Sequence, residues 1–163
     1  MPLTFGNRSQ NLECGNDTLT GWHPKLTSLN DFMGLSNEHK VWTSESGGSV
    51  RFAWQTPVPE DGAWPSSFED SLILTNLSWF KDKVDEKGAL GSASRTVTKH
   101  SSPDDLNKAL HKLLRGSFKK GDFAATLLEH LSSGEPLHCP AYISDALTWL
   151  EEELKPTNTG GQP

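Results

Sequence analysis

Apolar residues recur at three- and four-residue spacing in five stretches of this chain, each bounded by polar or Pro/Gly-rich sequence. That spacing sets them on one face of a helix, the face that a globular protein buries. Leu26, Leu29, Phe32, Met33 and Leu35 predict a short helix over residues 27–35. Phe68, Leu72 and Trp79, with Ile73, Leu77 and Phe80 beside them, predict another over about 67–81. Ser66 or Ser67 can cap it, and Glu69 and Asp70 fall in its first turn, where negative charge suits the helix dipole. Ser102-Pro103-Asp104-Asp105 opens a third helix, with Leu106, Leu110, Leu113 and Leu114 as its buried face and Gly116 as its stop. Phe123, Ala124, Leu127, Leu128 and Leu131 mark a fourth face, ending near Gly134. Pro140 starts the last helix, on which Ile143, Ala146, Leu147, Leu150 and Leu154 face inward and which Pro156 closes.

Strand signals are scarce. Val50–Gln55 reads as one short strand running into a Pro57–Pro65 loop, after a polar connection over residues 37–49 that contains Gly47-Gly48. Residues 82–99 are charged and rich in Gly and Ser, which predicts an exposed loop with at most a short strand at Ser94–Lys99. A single strand is not a sheet. The pattern therefore predicts an α/β chain, helix-rich with few strands in this span, whose remaining strands lie in other sequence. Met1–Thr20 is polar and aperiodic, the opening expected of a chain entered partway through. Residues 1–15 are expected to be flexible, 16–155 to form the folded part and 156–163 to be a disordered tail.

Composition narrows the function classes. At 163 residues the chain has room for one core, and its formal charge of −6 (15 Lys and Arg against 21 Asp and Glu) argues against a broad basic face for nucleic acid. A nuclease remains compatible with that charge, because acids that hold Mg²⁺ make a site locally negative until the metal binds. Cys14 and Cys139 lack metal-ligand spacing and read as free thiols of a cytoplasmic protein. No apolar run is long enough to cross a bilayer, so no membrane partner is expected.

Candidate chemistry is sparse. The six His are scattered without helical metal-ligand spacing, and no Gly-rich phosphate loop follows a strand. What remains is the acid pair Glu69 and Asp70 at one helix start and Lys119 and Lys120 at another. A carboxylate that holds a metal and a lysine that neutralises phosphate would suit phosphodiester cleavage. Helix capping and an ordinary solvated lysine pair are the plain alternatives.

Five segments, in order, carry a resemblance. They are Asn16-Asp17-Thr18-Leu19-Thr20-Gly21-Trp22, then Trp54-Gln55-Thr56-Pro57, then Ser67-Phe68-Glu69-Asp70-Ser71-Leu72 with Asn76. Lys120-Gly121-Asp122-Phe123-Ala124 follows, and last Pro140-Ala141-Tyr142-Ile143 with Leu147-Thr148-Trp149-Leu150. Together they resemble the C-terminal end of the OLD (overcoming lysogenization defect) family of ATP-dependent endonucleases, over residues 14–154. In that family an ATPase precedes a Toprim domain that cuts DNA with two divalent metals. The resemblance implies that Glu69, with Asp70 beside it, is a metal-ligand position and Lys120 the catalytic lysine. It implies Mg²⁺ or Mn²⁺ in a complete site, and ATP only through an ATPase domain that this chain lacks. The implied partners are DNA and an ATPase/Toprim N-terminal portion in cis or in trans, with a homo-oligomer as an option.

The departures are substantial. Nothing before Asn16 matches the early Glu or the Asp-x-Asp pair of the Toprim site, Ser66 stands where the family has Arg, and Ala146 stands for the Gly before Leu147. The chain alone is therefore expected to be inactive. The rival expectations are a non-catalytic interaction or regulatory module derived from such a nuclease, and an unrelated helical scaffold.

Overall fold

The computed structural model describes residues 35, 36, 38–56, 58 and 65–155. The predicted helix over 27–35 lies almost wholly outside them, as do the first segment of the resemblance and the tail. The chain divides into two compact units, Met1–Ala53 and Trp54–Pro163.

In the first unit a 3-10 turn, Glu38–Lys40, leads into an antiparallel pair, β1 (Val41–Thr43) and β2 (Ser49–Arg51). Val41 faces Arg51, Trp42 faces Val50 and Thr43 faces Ser49. The chain reverses between them at Gly47, whose φ of +87° is one that side-chain-bearing residues rarely adopt. The expected strand Val50–Gln55 is thus corrected to Ser49–Arg51. Its partner was hidden in the stretch read as a polar connection, because three residues are too few to show alternation. The pairing stops where it does for a local reason. The last cross-strand bond runs from the Phe52 N–H to the Lys40 carbonyl at 2.8 Å, and beyond it the partner chain is taken up in the 3-10 turn.

The second unit is helical: α1 (Phe68–Thr75), α2 (Leu77–Lys81), α3 (Gly88–Lys99), α4 (Pro103–Arg115), α5 (Lys120–Ser132) and α6 (Ala141–Glu153). Among the described residues the fold is α-dominated, with the two-stranded pair as its β component. None of these helices is long and apolar enough to cross a membrane.

At the centre is α3, which packs against α2, α4 and α5. This is the main correction, because residues 82–99 read as an exposed loop ending in a strand. The inward positions Ala89, Leu90, Ala93, Ser94 and Val97 do follow helical spacing. Apart from Leu90 they are small or β-branched, and Gly and Ser between them imitate a loop. Small residues suit a helix crowded on several sides: a β-carbon at Gly91 would collide with the Glu86 carbonyl. No side chain of Lys87 caps α3. Instead Asp122, from the first turn of α5, accepts from the Ala89 N–H at 2.9 Å. The start signal for α3 therefore lies 33 residues away in sequence.

The expected single helix over 67–81 is split in two at Asn76. Its side-chain amide donates to the Leu72 and His138 carbonyls, each at 2.9 Å, and its oxygen accepts from the His138 N–H at 2.7 Å. This buried amide stitches the segment before α6 to the α1–α2 junction. Around the core, Phe80 stacks on Phe123 at 6.1 Å and Phe118 leans on Phe123 at 5.1 Å. Leu106, Leu110 and Leu114 of α4 are buried as expected, and Pro103 opens that helix, although Ser102 makes no side-chain cap. Two expected faces are corrected. On α5 only Phe123 and Leu127 are buried, and α6 buries no residue at all.

A polar clasp closes the loop after α5. Glu135 accepts from Trp79 Nε1 at 2.8 Å, pairs with Lys83 at 2.6 Å and lies 2.7 Å from His130 Nδ1. Lys83, then His130, hold its carboxyl down to about 2 from an ordinary 4.5. A carboxyl with a depressed folded-state pKa stabilises fully above its unfolded value and loses that contribution as pH falls toward the folded one. Thermal melts between pH 5 and pH 2 should therefore show a loss of stability below about pH 4.5. That loss should be smaller in Glu135→Gln, which has no carboxyl to protonate.

Candidate functional site

Two helix starts meet at the site. Ser67 caps α1 in a reciprocal box: its hydroxyl faces the Asp70 N–H at 3.4 Å, and Asp70 Oδ1 accepts from the Ser67 N–H at 2.6 Å. Asp70 Oδ1 also accepts from the Ser67 hydroxyl at 3.1 Å. Asp70 Oδ2 accepts from the Ser66 N–H at 2.8 Å and the Ser66 hydroxyl at 2.9 Å. Asp70 is buried, and its two oxygens have room for about four donors. All four places are taken. Asp70 thus performs the capping that was the plain alternative for this acid, and no acceptor site is left over for a cation.

Glu69 points elsewhere. Its carboxylate meets the Lys120 ammonium, at the first position of α5, at 2.8 Å. The starts of α1 and α5 therefore converge on one contact. The Glu69 side chain is 14% exposed and that of Lys120 56%. Burial pushes the Glu69 carboxyl up, but the hydrogen bond from Lys120, followed by those from its own N–H and Ser67, holds it below the usual range. A third helix start lies close by. Burial, then the charges of Asp70, Cys139 and Glu69, raise the Tyr142 phenol above its usual value, which places the first turn of α6 near the same acids.

Beside the ion pair runs a mainly apolar groove of about 630 Å³. Glu69 and Lys120 border it together with Phe68, Leu72, Phe123, Leu127, Leu128 and Leu137. Cys139, an exposed free thiol, also lines it.

Among the described residues no group of three or more His, Cys, Asp or Glu is placed to hold a metal ion. Mg²⁺ prefers six oxygens in octahedral geometry. One carboxylate already neutralised by a lysine, next to another saturated by its cap, does not fit that need. The described residues by themselves are not a metal centre.

Sequence reasoning missed one contact. The Ser66 hydroxyl lies 3.1 Å from His111 Nδ1, on α4, as well as against Asp70. Ser, His and Asp are adjacent, but Ser sits between the other two. A catalytic triad needs His in the middle to take the serine proton, so this trio ties α4 to the α1 cap and does not form a nucleophile. Nothing local in the sequence announces it, since Ser66 and His111 are 45 residues apart.

Comparison with family models, with curated proteins and with solved structures finds no match to this chain.

The ion pair makes a definite electrostatic prediction. In Lys120→Met the strongest influence lowering the Glu69 carboxyl is gone while burial remains, so its titration should move upward relative to wild type. Carboxyl-carbon NMR across pH 2–7 would read this, and an unchanged Glu69 curve would show that the contact is not formed in solution.

Proposed function

We propose that this chain is the late part of an OLD-like Toprim nuclease, contributing Lys120 and Glu69 to a divalent-metal-dependent DNA cleavage site and inactive alone. The observation that carries this reading is the 2.8 Å contact between Glu69 and Lys120, two residues matched independently to the family's motifs. The chemistry assigned to this chain is limited to those side chains. The Lys120 ammonium neutralises charge that builds on the phosphate oxygens as the phosphodiester is cleaved. Glu69 holds that ammonium in place while keeping its own negative charge. The oxygen ligands of Mg²⁺ or Mn²⁺ and any ATPase belong, on this reading, to polypeptide other than the described residues, supplied in cis or in trans in the cytoplasm.

A second reading is an interaction module that keeps the fold without the chemistry. It is favoured by the exposed apolar lining of the groove, with Leu128 62% and Leu131 46% exposed.

Two measurements test these readings, and the second separates them. Incubated alone with plasmid DNA and millimolar Mg²⁺ or Mn²⁺, the chain should produce no cleavage above a Glu69→Ala control. Nicking that disappears in the control would overturn the half-site reading. In an assembly that does cleave, Lys120→Ala should lower kcat by about 100-fold or more, and Lys119→Ala by no more than about threefold. Equal losses would mean that the lysine assignment is wrong, and full activity in both would favour the interaction module.

A further inference from the structure

Two helices in this unit leave apolar stripes uncovered. On α5, Gly121, Ala124, Leu128 and Leu131 are exposed and recur at spacings of three, four and three. On α6 and its C-cap, Leu147, Leu150 and Leu154 are 59%, 44% and 73% exposed, and half-buried Ile143 extends that stripe to four, three and four. Both follow the seven-residue period with which one helix packs its side chains between those of another.

The stripes also fit each other. Set antiparallel, they stack Leu131 over Leu147, Leu128 over Leu150 and the small Ala124 over the large Leu154. The same direction brings Glu151, Glu152 and Glu153, at the negative end of α6, toward Lys119 and Lys120 at the positive end of α5. Pairing α6 with another α6 offers no such match: antiparallel it has no basic end to receive these acids, and in parallel it places them side by side.

We infer that a second copy of this chain covers the surface, α6 of each protomer lying antiparallel along α5 of the other in a two-fold dimer. Such a contact is self-complementary and closes on itself, so it stops at two chains. It does not rest on the proposed nuclease role: the stacked residues lie outside the Glu69–Lys120 pair, and Lys119 with the positive end of α5 draws the α6 acids whatever Lys120 does.

Sedimentation velocity tests this on the full chain, at concentrations on the order of 100 μM to capture a weak dimer. The wild type should sediment as a dimer. Leu128→Glu and Leu150→Lys should each be monomeric with unchanged helical circular dichroism, because both positions are exposed and neither supports the core. Mixed in equal amounts, the two variants should recover a dimer, one contact now joining Glu to Lys and the other retaining both leucines. A monomeric wild type would overturn the inference, as would variants that still dimerise. A mixture that stays monomeric would equally overturn it, as would Leu128→Glu dimerising while Leu150→Lys does not.

Discussion

The carboxylate of Asp122 is the hinge of this structure. Its bond to the Ala89 N–H supplies α3 with the cap that its own sequence lacks, and α3 is the helix on which α2, α4 and α5 all pack. The same bond fixes the first turn of α5 and with it Lys120, two residues earlier. On the opposite side, the Ser67–Asp70 box fixes the first turn of α1 and so directs Glu69. The ion pair of the candidate site is thus held by two caps, each charge one or two residues from the acid that positions its helix. A cap is worth about 1 kcal/mol to its helix, but here each also sets the aim of a neighbouring side chain.

How much of this was legible in the sequence depends on where the deciding information lay. Where start signal, stripe and stop are all local, as in α4, the helix was readable from Pro103 to Gly116. The α1 cap was equally legible, but the choice between capping and coordination for Asp70 was not, since its sequence position suits both. α3 was not legible, because its cap comes from α5 and its buried face is built from small residues that look like loop. The split at Asn76 was hidden for a related reason: its amide is satisfied by the backbone of His138, 62 residues on. Both stripes were read correctly as helical, and Phe123 and Leu127 correctly as buried, but Ala124, Leu128 and Leu131 on α5 and the face of α6 were wrongly read as buried. Periodicity reports which face is apolar; it does not report whether this chain supplies the cover.

The site itself was legible in part. Glu69 and Lys120 were chosen from separate motifs and do touch, whereas Asp70 is absorbed in holding its helix. The neighbourhood of Tyr142, and the link from His111 through Ser66 to Asp70, could not be seen, because each joins elements far apart in sequence with no local pattern to mark them. An acid next to an acid in a first turn is ambiguous for a physical reason. Successive helical positions point in directions about 100° apart, so one carboxylate turns back to cap while its neighbour is free to meet another helix.

The Asn76 stitch has a further consequence for how the unit comes apart. It grips the chain at His138, just before Pro140, and beyond that point α6 adds no fully buried side chain to the core. Releasing α6 exposes little new apolar surface, whereas releasing α3 would expose the packing of three neighbours. The two belong to different cooperative units of unfolding. Backbone amides of α6 in a single chain should exchange with solvent through a shallow, local opening, and those of α3 only when the whole helical unit opens. Asn76 marks the boundary between the two regimes.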